Sequence, residues 1–320
     1  MAGAGSGQDQ PGSAAAPPGP VFGRLAIIGA GLIGSSVARI AHARGRPGGD
    51  LAAEVVVSDS SAAVLDRVRA LGFADGIEAD PGRAVQGADC VMLCAPVGAF
   101  AGIAAAIAPH LRPGAILTDV GSTKVSVIRD VAPLLPPGVR FIPGHPMAGT
   151  EYSGPDAGFT TLFQGRWCLL SPLPGADPAA VAQVSELWRR MGAMVECMDP
   201  AHHDRVVAIV SHLPHLIAFT ICGTADRLAI EGKDDPSRAE VLKFAASGFR
   251  DFTRIAASDP VMWRDVFLNN REALLEMLAR FMEDAQTMAG AVRRGQGDYI
   301  EDSIRKGRSI RAGLIETNQA

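Results

Sequence analysis

Lysine occurs only at Lys124, Lys233, Lys243 and Lys306 in a chain of 320 residues, so arginine carries nearly all of the positive charge. The 30 basic residues against 34 acidic ones leave a formal net charge of −4, with no basic excess to favour nucleic acid or an anionic membrane surface as a partner. Cysteine is also sparse: Cys90, Cys94, Cys168, Cys197 and Cys222 are odd in number and form no Cys-x-x-Cys pair. Most lie in apolar runs, where a free thiol behaves as a small hydrophobe, so buried thiols in a reducing compartment are expected. Residues 1–20 are rich in Ala, Gly, Pro and Ser and have neither a basic start nor an apolar centre. They do not read as a signal peptide or membrane segment. Residues 1–22 are therefore expected to be a disordered tail on a cytoplasmic protein.

What is present is a normal globular balance, 48% hydrophobic and 20% charged, in a length suited to two domains. From residue 24 short apolar strands alternate with longer helical stretches. The expected strands are Leu25–Ile28, Glu54–Ser58, Cys90–Cys94, Ala115–Asp119, Val139–Pro143, Arg166–Leu170 and Met194–Met198. Helical stretches fall near 32–44, 61–71, 98–110, 124–135 and 179–191. Such alternation implies a parallel sheet covered on both faces. We therefore expect an α/β Rossmann-type domain over 23–198. Beyond Asp199 only helical patterns follow, at roughly 200–231, 238–248, 260–289 and 297–314, predicting an all-α domain over 199–320. Apolar stretches such as Val206–Ile209 and Leu216–Ile221 suggest a helix buried on every side, which a dimer achieves more easily than a lone helical domain.

Gly29-Ala-Gly-Leu-Ile-Gly34 follows the first strand and opens a helix with Leu32, Ile33, Val37 and Ile40 on its apolar face. That context turns a weak motif into a dinucleotide fingerprint. Gly29 permits the tight turn, Gly31 lets the backbone approach a pyrophosphate at the positive end of the helix, and Gly34 lets helix and strand pack closely. Asp59 ends the second strand, where a carboxylate accepts hydrogen bonds from ribose hydroxyls and repels a 2′-phosphate. This favours NAD; Ser58, Ser60 and Ser61 could solvate a phosphate, so NADP stays open. Ala95 and Pro96, after the strand Cys90–Cys94, are expected to line the nicotinamide side.

Two further stretches carry chemistry: Thr118-Asp-Val-Gly-Ser-Thr-Lys124 and Gly144-His-Pro-Met-Ala-Gly-Thr-Glu-Tyr-Ser-Gly154. Each follows a β-branched apolar run and so sits where a parallel strand ends, the place where open α/β sheets bind ligands. A hydroxyl (Ser122), an imidazole (His145) and a carboxylate (Glu151) are thus expected beside the dinucleotide. Ser122 alone would read as a helix N-cap, Lys124 as a solvated first-turn residue, and His202 and His203 as surface or capping residues. His212 and His215 share a helix face with Pro214 between them. Such a pair could bind metal, but no third ligand stands in phase, and no metal is expected.

Together with Ser211-His-Leu-Pro-His215, Phe249–Pro260 and Met262-Trp-Arg-Asp265, these blocks resemble the prephenate/arogenate dehydrogenases of tyrosine biosynthesis, from about residue 24 to 315. The resemblance implies oxidative decarboxylation of prephenate or arogenate with hydride transfer to NAD(P)⁺, in a homodimer joined through the helical domain. It further implies that His145 is the catalytic base and Ser122 a partner of the substrate hydroxyl. It places Arg254 and His215, with His212, on the substrate, and Glu151 near it as a contact, gate or salt bridge.

Other readings are a β-hydroxyacid dehydrogenase, an imine reductase, or a non-catalytic NAD sensor. The first relies on a lysine in the long helix that 199–231 lacks. The second has no need of an arginine–histidine carboxylate cradle, and the third leaves His145, Ser122 and Arg254 together by accident.

Overall fold

The computed structural model describes residues 19–45, 50–230 and 243–316. By contact the chain divides into two units, one running through His203 and regaining Ser258–Asp265, the other formed by Asp204–Ala257 and the chain from Val266. Measured from the boundary expected at 198/199, the first unit keeps the opening residues of the next helix, and a later segment returns to it. The expected tail over 1–22 is shortened, because the first strand already starts at Phe22, whose ring is buried; residues 1–18 lie outside the described residues.

The first unit is an α/β Rossmann-type fold. Its strands are β1 (Phe22–Ile28), β2 (Ala52–Ser58), β3 (Gly76–Glu78), β4 (Cys90–Leu93), β5 (Ile116–Asp119) and β6 (Arg140–Ile142), in the order β3-β2-β1-β4-β5-β6 and all parallel. The strands alternate faces as their period demands. Leu25 and Ile27 join one core with Val55, Val57, Met92 and Ile142, while Ala26 and Ile28 join the other with Val56, Val91 and Leu93. Helices α1 (Leu32–His42), α2 (Ala62–Leu71) and α6 (Pro178–Arg190) supply Val37, Val68 and Trp188 to the first core. On the other face α3 (Pro81–Ala84), α4 (Phe100–Ile107) and α5 (Val125–Val131) supply Ala84, Phe100, Ile107 and Val127. The order reverses between β1 and β4, and the glycine loop after β1 lies at that switch point.

Pro143 has no N–H to continue the ladder, and after it the chain leaves this sheet. Gly144–Pro146 forms β7, antiparallel to β8 (Trp167–Leu170), which pairs in parallel with β9 (Met194–Cys197). The last two expected strands therefore belong to a second, three-stranded sheet. His145 sits opposite Leu169 inside a strand rather than at the end of one.

Among its described residues the second unit is helical. The expected helix over 200–231 is α7 (Pro200–Val207), a wide π-helical turn over Ala208–His212, and α8 (Leu213–Ile230). The wide turn lies just ahead of Pro214, whose missing N–H breaks the regular ladder. Of the helix expected over 238–248, residues 238–242 lie outside the described residues; Ala245 and Ala246 are not helical, and a helix Ser247–Thr253 starts where the expected one was to end. The stretch 260–289 is two helices, Pro260–Asn269 and Arg271–Arg293, parted at Asn270; Gly297–Glu316 follows. Pro200–Arg227 is long and apolar enough to cross a membrane by length and composition, and only a minority of it is buried within one chain. Ile209, Val210, Leu268, Leu275 and Val292 also lie exposed. The all-round burial expected of this helix is thus not met by a single chain.

Candidate active site

The three glycines of the loop after β1 have different reasons to be glycine. Gly29 has φ +106°, and a Cβ there would stand 2.7 Å from the Cys94 backbone. A Cβ on Gly34 would stand 1.9 Å from the Gly29 carbonyl oxygen, so helix and loop could not close. On Gly31 it would meet nothing within 4 Å, which leaves the backbone open to a ligand. Gly31 caps α1 with no side-chain bond, and the first turn holds no acid, so the positive end of the helix is uncovered. Leu32 and Ile33 are half-buried behind it.

Asp59 accepts N–H bonds from Ala30 (2.9 Å) on one carboxylate oxygen and from Ser61 (2.9 Å) on the other. It thereby ties the second strand to the glycine loop, and each oxygen keeps lone-pair capacity for a diol. Ser58 is buried and Ser61 caps α2, which leaves only Ser60 of the three serines exposed and uncommitted to the fold. Cys94 and Ala95 are half-buried and Pro96 exposed after β4, and burial pushes the thiols of Cys90, Cys94 and Cys168 up, out of the reactive range. Cys197 is exposed, against the expectation for the thiols.

The greatest departure from expectation is Lys124. It is wholly buried rather than solvated: its ammonium pairs with Asp119 at the end of β5 and donates to the Gly144 carbonyl at 2.6 Å. Asp119 in turn accepts from the N–H of Gly121 (2.8 Å) and of Gly144 (3.2 Å). Burial pushes the Asp119 carboxyl up, opposed by the Lys124 ammonium and these two N–H groups. The pair therefore fixes both peptide groups of the residue before His145 and the loop that carries Ser122. Ser122 itself is half-buried in that loop and does not cap α5, whose N-cap is Lys124; Thr123 and Ser126 join hydroxyls at 2.8 Å instead.

His145 is buried, and its Nδ1 lies 2.9 Å from Nε2 of His203, which is fully buried on α7 rather than at the surface. His202 is exposed, as expected. After β7 the chain carries Glu151, half-buried, through a loop tied down by Arg39 on the Pro155 carbonyl (3.1 Å), Arg67 on Asp156 and the Phe159 N–H on Ser36 Oγ (3.1 Å).

In the second unit, Asn270 donates to the Asp204 carbonyl (2.8 Å) and to Nδ1 of buried His212 (3.0 Å), which puts the His212 proton on Nε2. His215, one turn on, donates Nδ1–H to the Ser211 carbonyl at 2.8 Å. Burial pushes its imidazole below the ordinary histidine value, and the charge of Arg254 acts in the same direction. Arg254 is an exposed cation beside a neutral imidazole, a pairing suited to a carboxylate. Trp263 is buried in the segment that returns to the first unit, as a core tryptophan should be.

Neither Lys124 nor His203 was picked out by sequence reasoning. The signal for the first was present: a chain that otherwise spends arginine uses lysine here, five residues after an acid that ends a buried strand. The signal for the second was its i, i+4 spacing from apolar Val207 on one helix face.

A switch-point glycine loop, an acid closing β2 and a buried imidazole on the strand that follows β6 define an NAD-dependent dehydrogenase of Rossmann type. Residues 49–197 match the family description "Prephenate dehydrogenase, nucleotide-binding domain", and residues 199–306 "Prephenate dehydrogenase, dimerization domain". The chain is 40% identical to the cyclohexadienyl dehydrogenase of Zymomonas mobilis, over 92% of its own length and 97% of that protein. It is 30% identical to the prephenate dehydrogenase of Bacillus subtilis, over 91% and 76%. Its fold matches prephenate dehydrogenase from A. aeolicus in complex with hydroxyphenyl propionate and NAD⁺, with TM-score 0.81 and 30% identity over 91% of this chain and 98% of that one. Arogenate dehydrogenase from Synechocystis follows at TM-score 0.74 and 25% identity, over 91% and 99%. The chain belongs to the prephenate dehydrogenase family.

Proposed function

We propose that this protein oxidatively decarboxylates prephenate, or its amino counterpart arogenate, with NAD⁺ as hydride acceptor, in tyrosine synthesis. The observation that carries the reading is His145 itself: a buried imidazole on β7, next to a Gly144 peptide held by the Lys124–Asp119 pair, in the unit that bears the glycine loop and Asp59.

The substrate is a cyclohexadienol with a ring carboxylate and a charged side chain. NAD⁺ bound at the glycine loop supplies the acceptor for the hydride that leaves C4. His145 takes the proton of the 4-hydroxyl as that bond breaks, and Ser122 holds the same hydroxyl by a hydrogen bond. The C–C bond to the ring carboxylate then cleaves. Its electron pair aromatises the ring, CO₂ leaves, and the phenolate oxygen recovers the proton from His145. Arg254, with His215 and His212, grips carboxylate, and Glu151 lies near the substrate. Gly29, Gly31, Leu32, Ile33 and Gly34 shape the pyrophosphate site, Asp59 binds the adenosine ribose, and Ala95 and Pro96 face the nicotinamide.

The match of residues 199–306 to a dimerization domain supports a homodimer, and exposed Ile209, Val210, Leu268, Leu275 and Val292 in the second unit accord with it. A cytoplasmic location accords with the free thiols of Cys90, Cys94 and Cys168, which burial keeps protonated. Steady-state NADH formation with prephenate and arogenate, each against NAD⁺ and NADP⁺, tests the reading. Turnover of prephenate or arogenate with NAD⁺ is the expected result, and none with either substrate refutes it.

A further inference from the structure

The contact between His145 and His203 has a consequence beyond burial. Two imidazoles meet edge to face, with centroids 5.1 Å apart, planes at 68° and Nδ1 to Nε2 at 2.9 Å. At that distance one nitrogen donates and the other accepts. If His203 donated, the neutral His145 would carry its proton on Nε2 and could not take another there. We propose that His203 is a positioning residue for the base: its Nε2 accepts the Nδ1–H of His145, which holds the lone pair of His145 on Nε2 for the substrate hydroxyl. The inference rests on His145 being the base, as set out above.

The same contact stabilises the product of the step. When His145 takes the hydroxyl proton it becomes an imidazolium, and its Nδ1–H then points at a neutral acceptor, which spreads the charge over two rings. No proton leaves the pair for good, since the phenolate reclaims it after CO₂ departs, so no further reactant is needed. A second proton on the pair would face a like charge within hydrogen-bond distance and is disfavoured. The pair therefore titrates as a unit. Other titratable groups packed around it do not substitute for His203. Lys124 and Asp119 are committed to each other and to Gly144, the Cys168 thiol is held protonated by burial, Asp199 accepts from the first N–H groups of the His203 helix, and His202 and Asp204 lie on that helix.

The test is His203→Leu beside His203→Gln and His145→Asn in the full chain. Leu removes the acceptor and keeps apolar volume, whereas the Gln carbonyl can stand near Nε2. For Leu we expect kcat to fall about 10- to 100-fold, less than the roughly 10²–10⁴-fold worth of the base, with KM little changed. The acid limb of its kcat profile should move to lower pH, because the imidazolium has lost its acceptor, and Gln should restore most of both. A folded Leu variant with wild-type kcat and pH profile overturns the inference, and so does a loss with no shift of the acid limb and no rescue by Gln. If His145→Asn keeps wild-type kcat, it is the parent reading that fails. Should the Leu variant not fold, ¹⁵N spectra of the wild-type histidines decide: His145, assigned by its loss in His145→Asn, must carry its proton on Nδ1. An Nε2-protonated His145 would overturn the proposal.

Discussion

Lys124 and Asp119 form an ion pair with both side chains fully buried, and Gly144, the residue before the candidate base, is bonded to each of them. Such a pair is a poor source of net stability, because desolvation offsets most of the attraction, but breaking it leaves an uncompensated charge. Lysine suits the place where arginine would not. A compact ammonium can reach a carboxylate and a carbonyl together, whereas a planar guanidinium needs a wider pocket. Lys124→Met should cost about 3–5 kcal/mol in denaturant unfolding, and Asp119→Asn in the same background should recover part of it. A single variant as stable as wild type would contradict the buried pair.

Nucleotide choice turns on Asp59. Its carboxylate ties β2 to the glycine loop and would repel a 2′-phosphate, while Ser58 is buried and Ser61 caps a helix. The wild type should prefer NAD⁺, and Asp59→Ser should weaken NAD⁺ and narrow its advantage over NADP⁺ in kcat/KM. A wild type that already prefers NADP⁺ would remove Asp59 from this role.

Arg254 should act on binding. Hydrogen bonds to charged groups and the tenfold-per-1.4 kcal/mol rule put Arg254→Gln at roughly 10- to 150-fold weaker substrate binding. The change should fall on KM, with kcat and NAD⁺ affinity little altered. Inhibition by 4-hydroxyphenylpyruvate, which lacks the ring carboxylate, separates the two carboxylates: a constant unmoved by the variant assigns Arg254 to the ring carboxylate. An unchanged KM would discard the contact.

His215 sets a pH dependence. Burial, reinforced by Arg254, holds its imidazole below the ordinary histidine value. The unfolded chain therefore takes up the proton first as pH falls. Stability present above the unfolded value of about 6.5 is lost as pH drops through the lower folded value. Thermal unfolding midpoints should fall on acidification below about pH 6.5, and His215→Gln should flatten that fall. Equal acid dependence in both proteins would contradict the assignment.

Much of this was legible in sequence because it is local. The apolar runs at Leu25–Ile28 and Cys90–Leu93 and the Gly29–Gly34 loop are read from spacing alone, and the structure places them as expected. What was missed depends on partners distant in sequence. Gly76–Glu78 is three half-buried residues at a sheet edge, and Gly144–Pro146 is a strand only because Trp167–Leu170 pairs with it. Lys124 looks solvated until β7 is known to pass above it, and His203 looks like a capping residue until its ring meets His145. The break at Asn270 is likewise invisible locally, since its amide serves His212 and Asp204.

The central claim is that a buried imidazole at position 145 removes the substrate's hydroxyl proton. The most direct measurement is kcat for prephenate with NAD⁺ in wild type and His145→Asn, with NAD⁺ binding measured alongside. Asparagine keeps a donor and an acceptor but has no basicity. The expected result is a kcat lower by about 10²–10⁴-fold, with KM and NAD⁺ affinity close to wild type. A His145→Asn enzyme with near-normal kcat would contradict it.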